Sequence, residues 1–128
     1  MNKQLLATAV MALAILLGGT ACQSQSAAAG QPAAGQPATI TVVTTEFKFQ
    51  PEVLTVRVGE RVRVTLDNSQ GVLKHDMLQS DLNIHAEVEP GKKATFEFTP
   101  TRAGTFDLVC SVPGHKEAGM TGKLVVQP

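Results

Sequence analysis

Residues 53–66 read VLTVRVGERVRVTL, and apolar and polar side chains alternate on both sides of the central Gly-Glu pair. Successive side chains of a β-strand point to opposite faces, so each half of this stretch predicts a strand with one buried face. Gly59-Glu60 supplies the turn between the two strands. The core-facing positions predicted in this way are Leu54, Val56, Val58, Val62, Val64 and Leu66.

The same alternation recurs in the C-terminal half of the chain. It predicts strands after the Pro-Gly turn at 90–91, after Gly104, and over 122–126. The second of these strands ends at Cys110, with the thiol on its buried side. The buried faces of the first two strands are formed by Ala94, Phe96, Phe98, Phe106, Leu108 and Cys110.

From Thr39 onward the chain consists of short apolar and β-branched runs, each bounded by Gly, Pro, Asn or Asp. This pattern is typical of an all-β sandwich or barrel, and the sequence shows no sustained helical periodicity. The polar stretch 74–86 is the least regular part, and a helical turn is compatible with it. We therefore predict an all-β domain over residues 39–128.

The composition restricts the functions open to this domain. A chain of 128 residues has room for one ordinary domain. Eleven Lys and Arg balance eleven Asp and Glu, which leaves no basic surface to neutralise nucleic-acid phosphates. Trp and Tyr are absent and Phe occurs five times, so platforms for stacking bases or sugars are not expected. Nucleic acid is therefore excluded as a partner.

Residues 1–22, MNKQLLATAVMALAILLGGTAC, have the three parts of a secretory signal: Lys3, an apolar run over 5–17, and small residues. The apolar run is shorter than the roughly 20 residues that span a bilayer, which makes a permanent transmembrane helix the weaker interpretation. The residues before Cys22 resemble the lipobox of bacterial lipoproteins, which implies a lipid anchor on Cys22; ordinary signal cleavage is the alternative. Both interpretations predict a periplasmic or other extracytoplasmic location.

Residues 23–38, QSQSAAAGQPAAGQPA, carry no charge and repeat the motif AGQP at 29–32 and 34–37. A segment of small and polar residues cannot pack a core. A flexible chain of this length averages roughly 20 to 25 Å from end to end. We interpret it as a linker that holds the β-domain away from a surface.

The side chains with metal-binding chemistry are concentrated in one connection between strands, CSVPGHKEAGM at 110–120. Cys110, His115 and Met120 bring a thiol, an imidazole and a thioether into this single loop. Two imidazoles, one thiolate and a long axial Met are the ligand set of a blue-copper electron-transfer site. His75, about 35 residues upstream of Cys110, is the candidate second imidazole, since two loops at one end of a sandwich can meet.

The motif Cys-x4-His-x4-Met followed by Gly-Lys-Leu-Val-Val, with an upstream His, resembles the cupredoxins, the plastocyanin and azurin superfamily, over roughly residues 39–128. The loop spacing is similar to that of rusticyanin-like members. The resemblance implies a Greek-key β-sandwich and one type 1 copper ion held by His75, Cys110, His115 and Met120. Asp76 stands where the family often has Asn, and an ionised carboxylate accepts hydrogen bonds without donating any.

The resemblance also implies a function, which is reversible one-electron transfer rather than catalysis. We expect a monomer that exchanges electrons with a redox protein such as a c-type cytochrome or a membrane oxidase. His115 would lie nearest the surface, inside an apolar landing patch formed by Val112, Pro113, Ala118 and Gly119. The alternative function is sequestration or delivery of periplasmic copper, and a third is that of an accessory subunit docked on a membrane oxidase.

Each of these side chains also has a structural interpretation. Taken alone, Cys110 would be an ordinary buried thiol, Met120 would fill the core, and His75 would lie on the surface. However, an exported protein whose other Cys is removed or lipidated leaves Cys110 without a disulfide partner. His85 has no motif around it and is expected in a loop or on the surface, with a weak metal contact or a partner contact as alternatives.

Other kinds of site fit the motif less well. A binuclear copper site needs two bridging thiolates in the loop, and Cys110 is the only one there. Structural zinc ordinarily recruits more Cys or His and no Met. A nucleophilic pair of Cys110 and His115 lacks an orienting Asn or Asp in the motif and leaves Met120 unexplained. The chain is therefore not expected to be an enzyme.

Overall fold

A computed structural model of the protein describes residues 35–128, so the predicted signal and most of the linker lie outside the described residues. Within 35–128 the chain forms nine strands and a 3-10 helix at Ser80–Leu82. The strands are β1 (Ala38–Thr45), β2 (Lys48–Gln50), β3 (Val53–Arg57), β4 (Val62–Asp67), β5 (His75–Gln79), β6 (Ile84–Val88), β7 (Lys93–Phe98), β8 (Gly104–Val109) and β9 (Thr121–Gln127). No helix in this part of the chain is long and apolar enough to cross a bilayer.

The strands form two sheets that pack as a sandwich. One sheet has the order β2-β1-β4-β7 and the other the order β3-β9-β8-β5-β6. Strands β1 and β4 are parallel neighbours, as are β3 and β9, whereas the other pairs are antiparallel. Parallel neighbours require connections that cross between the sheets. The predicted all-β Greek-key sandwich is confirmed.

The side chains that the alternation in residues 53–66 predicts to face the core are buried, with one exception. Val62, Val64 and Leu66 of β4 are fully buried, as the period of two predicts. Val58 is 39% exposed, because β3 ends at Arg57 and Val58 already belongs to the turn. The prediction that Val58 faces the core is therefore wrong.

The polar stretch 74–86 contains more strand than its sequence suggests. It forms β5, the 3-10 helix and the first residues of β6. The two strands pair as an antiparallel hairpin. The side-chain oxygen of Gln79 caps the 3-10 helix by accepting a hydrogen bond from Leu82 N at 2.7 Å. A helical turn is thus present, and the strands around it are stabilised by pairing rather than by a clear apolar alternation.

An exposed ion pair joins β4 to β7. Lys93 Nζ lies 2.7 Å from Asp67 Oδ2, and hydrogen bonds from Lys93 and Ser69 lower the pKa of Asp67 from 3.8 to about 2. A carboxyl with a lowered pKa in the folded state stabilises the fold above about pH 4, and this contribution disappears as the pH falls through about 2.

We therefore expect Asp67→Asn to reduce the free energy of unfolding modestly at about pH 7 and less at about pH 2, where wild-type Asp67 is itself half protonated. Urea denaturation at the two pH values measures the difference. Equal losses at both would mean that the charge of Asp67 contributes nothing.

Candidate metal centre

The site is built where β5 begins and β8 ends. The two strands are joined by a single residue pair, Leu78 with Val109. Because the strands are antiparallel, the start of β5 lies beside the residues that follow β8. His75 opens β5 and Cys110 directly follows β8. This pairing brings together two residues that lie about 35 positions apart in the sequence.

Three of the four predicted ligands present their donor atoms to one another. His75 Nδ1 lies 3.1 Å from His115 Nδ1, and Cys110 Sγ lies 3.5 Å from the same His115 nitrogen. One ligand atom from each of the three residues lies within 4.8 Å of the others. His75 and Cys110 are fully buried, and His115 is 7% exposed.

Met120, the fourth predicted residue, is fully buried and closes the loop beside the other three. Its N–H donates to the carbonyl of His115 at 3.0 Å, and its carbonyl accepts from Cys110 N at 3.1 Å. The backbone of Met120 is thus bonded to two of the residues whose side chains meet. The structure brings all four predicted residues to one end of the sandwich.

The loop 110–120 is folded tightly enough to hold these residues in place. His115 N donates to Val112 O at 3.1 Å, and Ala118 N donates to Gly114 O at 3.0 Å. Gly114 and Gly119 have φ values of +85° and +103°, which other L-residues rarely adopt. The two glycines let the chain reverse twice between Cys110 and Met120.

Asp76 ties the start of β5 to the residue after Cys110. Its Oδ1 accepts from Ser111 N at 2.5 Å, its Oδ2 accepts from Ser111 Oγ, and its own N–H points at Cys110 Sγ at 3.5 Å. Burial opposes ionisation of Asp76, but the bonds from Ser111, together with those to Cys110 and His85, outweigh it and lower the pKa. A carboxylate that only accepts hydrogen bonds therefore links the two segments, because Ser111 supplies both donors.

His85 approaches the same carboxylate from the outside. It lies on β6 rather than in a loop, its side chain is 54% exposed, and its Nε2 lies 3.3 Å from Asp76 Oδ2. The expectation of a surface position is met, and the expected loop is replaced by a strand. The sequence gives no sign of the contact with Asp76, because the two residues meet only through the pairing of β5 with β6.

Asn68 holds the loop that leads into His75. It is fully buried, and its Nδ2 donates to Leu73 O at 2.8 Å and to Glu89 O at 3.1 Å. Its backbone carbonyl also accepts from Gly71 and Gly91. The sequence does not predict this role of Asn68, because side-chain bonds to distant carbonyls leave no local pattern.

The donor atoms of the site suit a bound metal ion. Burial raises the pKa of the Cys110 thiol. The pKa of His75 is lowered mainly by burial and to a smaller extent by repulsion from His115. Two imidazole nitrogens and a sulfur converge here. A soft to borderline metal ion such as copper satisfies this donor set, so the residues fit the group that the sequence pattern implies.

Comparison with known proteins agrees with the fold and with copper as the cofactor. The profile of the cupredoxin-like domain matches residues 9–126. The copper-resistant cuproprotein CopI of Pseudomonas aeruginosa is 29% identical over 179 aligned positions, which cover 98% of both chains. CopI of Rubrivivax gelatinosus is 31% identical over 118 positions, which cover 77% of this chain and 71% of the relative.

A solved structure of a copper protein has a similar fold. Auracyanin A, a "blue" copper protein from Chloroflexus aurantiacus, superposes with a TM-score of 0.60 and is 26% identical in sequence. The match covers 72% of this chain and all of auracyanin A. With the sandwich topology and the family profile in agreement, the chain belongs to the cupredoxin-like family.

Proposed function

We propose that the protein is a blue-copper electron carrier and not an enzyme. In this proposal His75, Cys110 and His115 hold one copper ion, and Met120 makes a weak axial contact. The observation that carries it is the convergence of two imidazoles and one thiol, all buried, with donor atoms within 4.8 Å of one another. The similarity to auracyanin A, named as a "blue" copper protein, supports the same function.

The bound metal would supply reversible one-electron oxidation and reduction. The contribution of the chain is to hold the donors still, since little rearrangement of the ligands favours fast electron exchange. The loop hydrogen bonds fix His115 and Met120, and the bonds between Asp76 and Ser111 fix the start of β5 against Cys110. Burial of these donors also keeps water away from the site.

The surface around His115 is suited to a redox partner. His115 is the least buried of the four proposed ligands. Val72 and Leu73, in the loop before His75, are exposed apolar residues, at 75% and 38%. An apolar surface near the metal allows close approach of a partner such as a c-type cytochrome or a membrane oxidase. Charged residues at its edge would influence the association rate and the choice of partner.

The test of this function has two steps. Stoichiometric copper(II) is added to the purified metal-free protein, and visible absorption and electron paramagnetic resonance are recorded. An intense visible band and a narrow copper hyperfine splitting are expected, and a pale sample would overturn the proposal. Stopped-flow mixing with a reduced c-type cytochrome then measures electron exchange, which should be fast and repeatable over several cycles.

A second function is favoured by the similarity to the copper-resistant cuproproteins, which suggests copper sequestration or delivery. The two functions differ in what leaves the protein. A carrier returns to its starting state after each cycle with its copper retained. A delivery protein loses copper to an apo-acceptor, which equilibrium dialysis with an acceptor protein detects, while its electron exchange is slow.

The proposed extracytoplasmic location rests on the signal predicted from the sequence. The features of residues 1–22 support export from the cytoplasm, and lipidation of Cys22 would tether the domain to a membrane through residues 23–38. Mass spectrometry of the mature protein, purified from its native membrane, distinguishes a lipidated Cys22 from ordinary cleavage.

Met120 is expected to influence the reduction potential without being essential for metal binding. Met120→Leu replaces a weak electron donor by a hydrocarbon of similar volume, which destabilises copper(II) relative to copper(I). The variant should therefore retain copper and show a higher reduction potential by cyclic voltammetry. Met77→Leu, a buried Met on β5, is the matched control. A potential that is unchanged or lower in Met120→Leu would contradict axial ligation.

A further inference from the structure

The turn between β1 and β2 holds a bulky side chain in an unfavourable backbone conformation. Thr45 pairs with Lys48, so Glu46 and Phe47 form the turn. Phe47 has a φ of +65°, a region that favours Gly and Asn and disfavours bulky residues. Within the described residues the other non-glycine residue with positive φ is Asn83, and Asn tolerates this region well. Strain of this kind persists only when surrounding structure imposes it.

The ring of Phe47 packs against the imidazole of His115. The ring centroids are 5.1 Å apart and the planes lie at 89°, which is the edge-to-face arrangement that aromatic pairs prefer. The His75 ring lies 5.0 Å from the same imidazole. Phe47 is half-buried and also packs against the core. It is therefore anchored on one side and in contact with a proposed ligand on the other.

Hydrogen bonds to the rest of the protein do little to orient the His115 ring. Within residues 35–128 its side-chain hydrogen bonds run through Nδ1, to His75 Nδ1 and Cys110 Sγ. These partners are themselves proposed ligands, so no bond outside the site holds the imidazole plane. At 7%, His115 is also the most exposed of the four proposed ligands. Packing must supply the restraint that hydrogen bonds do not.

We propose that Phe47 is a positioning residue of the metal site, whose ring keeps the His115 imidazole turned with Nδ1 toward Cys110 and His75. The strained turn between β1 and β2 brings the Phe47 ring against this imidazole. This inference rests on the ligand role proposed for His115. An edge-to-face aromatic contact is strong enough to change the population of the oriented ring about two- to tenfold.

A purely structural role for Phe47 makes a different prediction. If the ring only covers the edge of the core, its replacement lowers the free energy of unfolding and leaves the site unchanged. Phe47→Leu keeps apolar bulk without the aromatic ring. Phe47→Asn also removes the ring but suits a positive φ, so relief of backbone strain offsets part of the lost packing and a folded variant is retained.

The first measurement is the rate at which the reduced, copper(I)-loaded protein loses its metal to a chromophoric copper(I) chelator at fixed pH. We expect Phe47→Leu and Phe47→Asn to release copper about two- to tenfold faster than wild type. Phe47→Tyr should retain the wild-type rate. Asn83→Gly, which changes the other positive-φ residue, serves as the matched control and should also be unchanged. Wild-type release rates in both ring-removing variants would overturn the proposal.

The second measurement uses the metal-free protein, so it separates this inference from the proposed function. Nuclear magnetic resonance of histidine ring signals should show broadening or a second set of peaks for His115 in Phe47→Leu, with His85 unaffected. Identical His115 signals in all variants would refute the positioning role even if wild type binds copper. If wild type fails to bind copper, the proposed function falls, and the His115 signals alone then support or refute the role of Phe47.

Discussion

Replacing Cys110 with Ser is expected to abolish the intense visible band of the copper(II) protein while the fold survives. In the proposed site the band arises from a bond between the metal and a thiolate, and Cys110 is the free Cys within residues 35–128. A Ser oxygen is a harder donor that does not reproduce this bond. A copper titration followed by visible absorption measures the loss, which should be essentially complete.

The neighbouring Ser111→Ala is the matched control for this variant. It removes the hydroxyl that donates to Asp76 Oδ2 and leaves the thiol in place, so its blue colour should remain. Cys110 is fully buried, and a Ser hydroxyl left there without a partner costs about 1 to 3 kcal/mol. Circular dichroism should nevertheless show a folded protein. A persistent band in Cys110→Ser would remove Cys110 from the metal site.

The sandwich and the gathering of the four side chains were predictable from local patterns. In β4 the alternation of Val62, Val64 and Leu66 with polar residues identifies the buried face directly. The loop spacing places Cys110, His115 and Met120 together because one short connection holds all three. His75 was harder to assign, because it became a candidate only through the need for a second imidazole and the meeting of two loops at one end of a sandwich.

The supporting contacts were not predictable, because they depend on pairings between distant segments. Ser111 donates two hydrogen bonds to Asp76 only because the pairing of β5 with β8 brings the two residues together. Phe47 lies in a turn that contains neither Gly nor Asn, so its positive φ leaves no trace in the sequence. Positions such as these follow from tertiary packing, which overrides local preference.

The charge of Asp76 is expected to hold the reduction potential down. The side chain is 4% exposed, and its bonds from Ser111 keep the pKa low enough for it to be ionised at neutral pH. A negative charge next to Cys110 favours the more positively charged oxidised site over the reduced one. Asp76→Asn removes this charge and retains an oxygen that accepts from Ser111 N, so the potential should rise.

The size of the rise follows from the strength of a nearby charge. At an effective dielectric constant of about 20, one unit charge at close range contributes on the order of 1 to 3 kcal/mol. This corresponds to roughly 40 to 130 mV for a one-electron couple. Cyclic voltammetry of the copper-loaded wild-type protein and of Asp76→Asn at the same pH measures the shift.

Two controls separate the charge of Asp76 from its hydrogen bonds. Asp107→Asn removes an exposed carboxylate that pairs with Lys123 on the sheet surface, and solvent and salt should screen its effect on the site. Ser111→Ala weakens the hydrogen bonding of Asp76 while keeping its charge. If Asp76→Asn shifts the potential no more than Asp107→Asn does, the carboxylate is not electrostatically coupled to the metal, and its role is confined to joining β5 to the segment after Cys110.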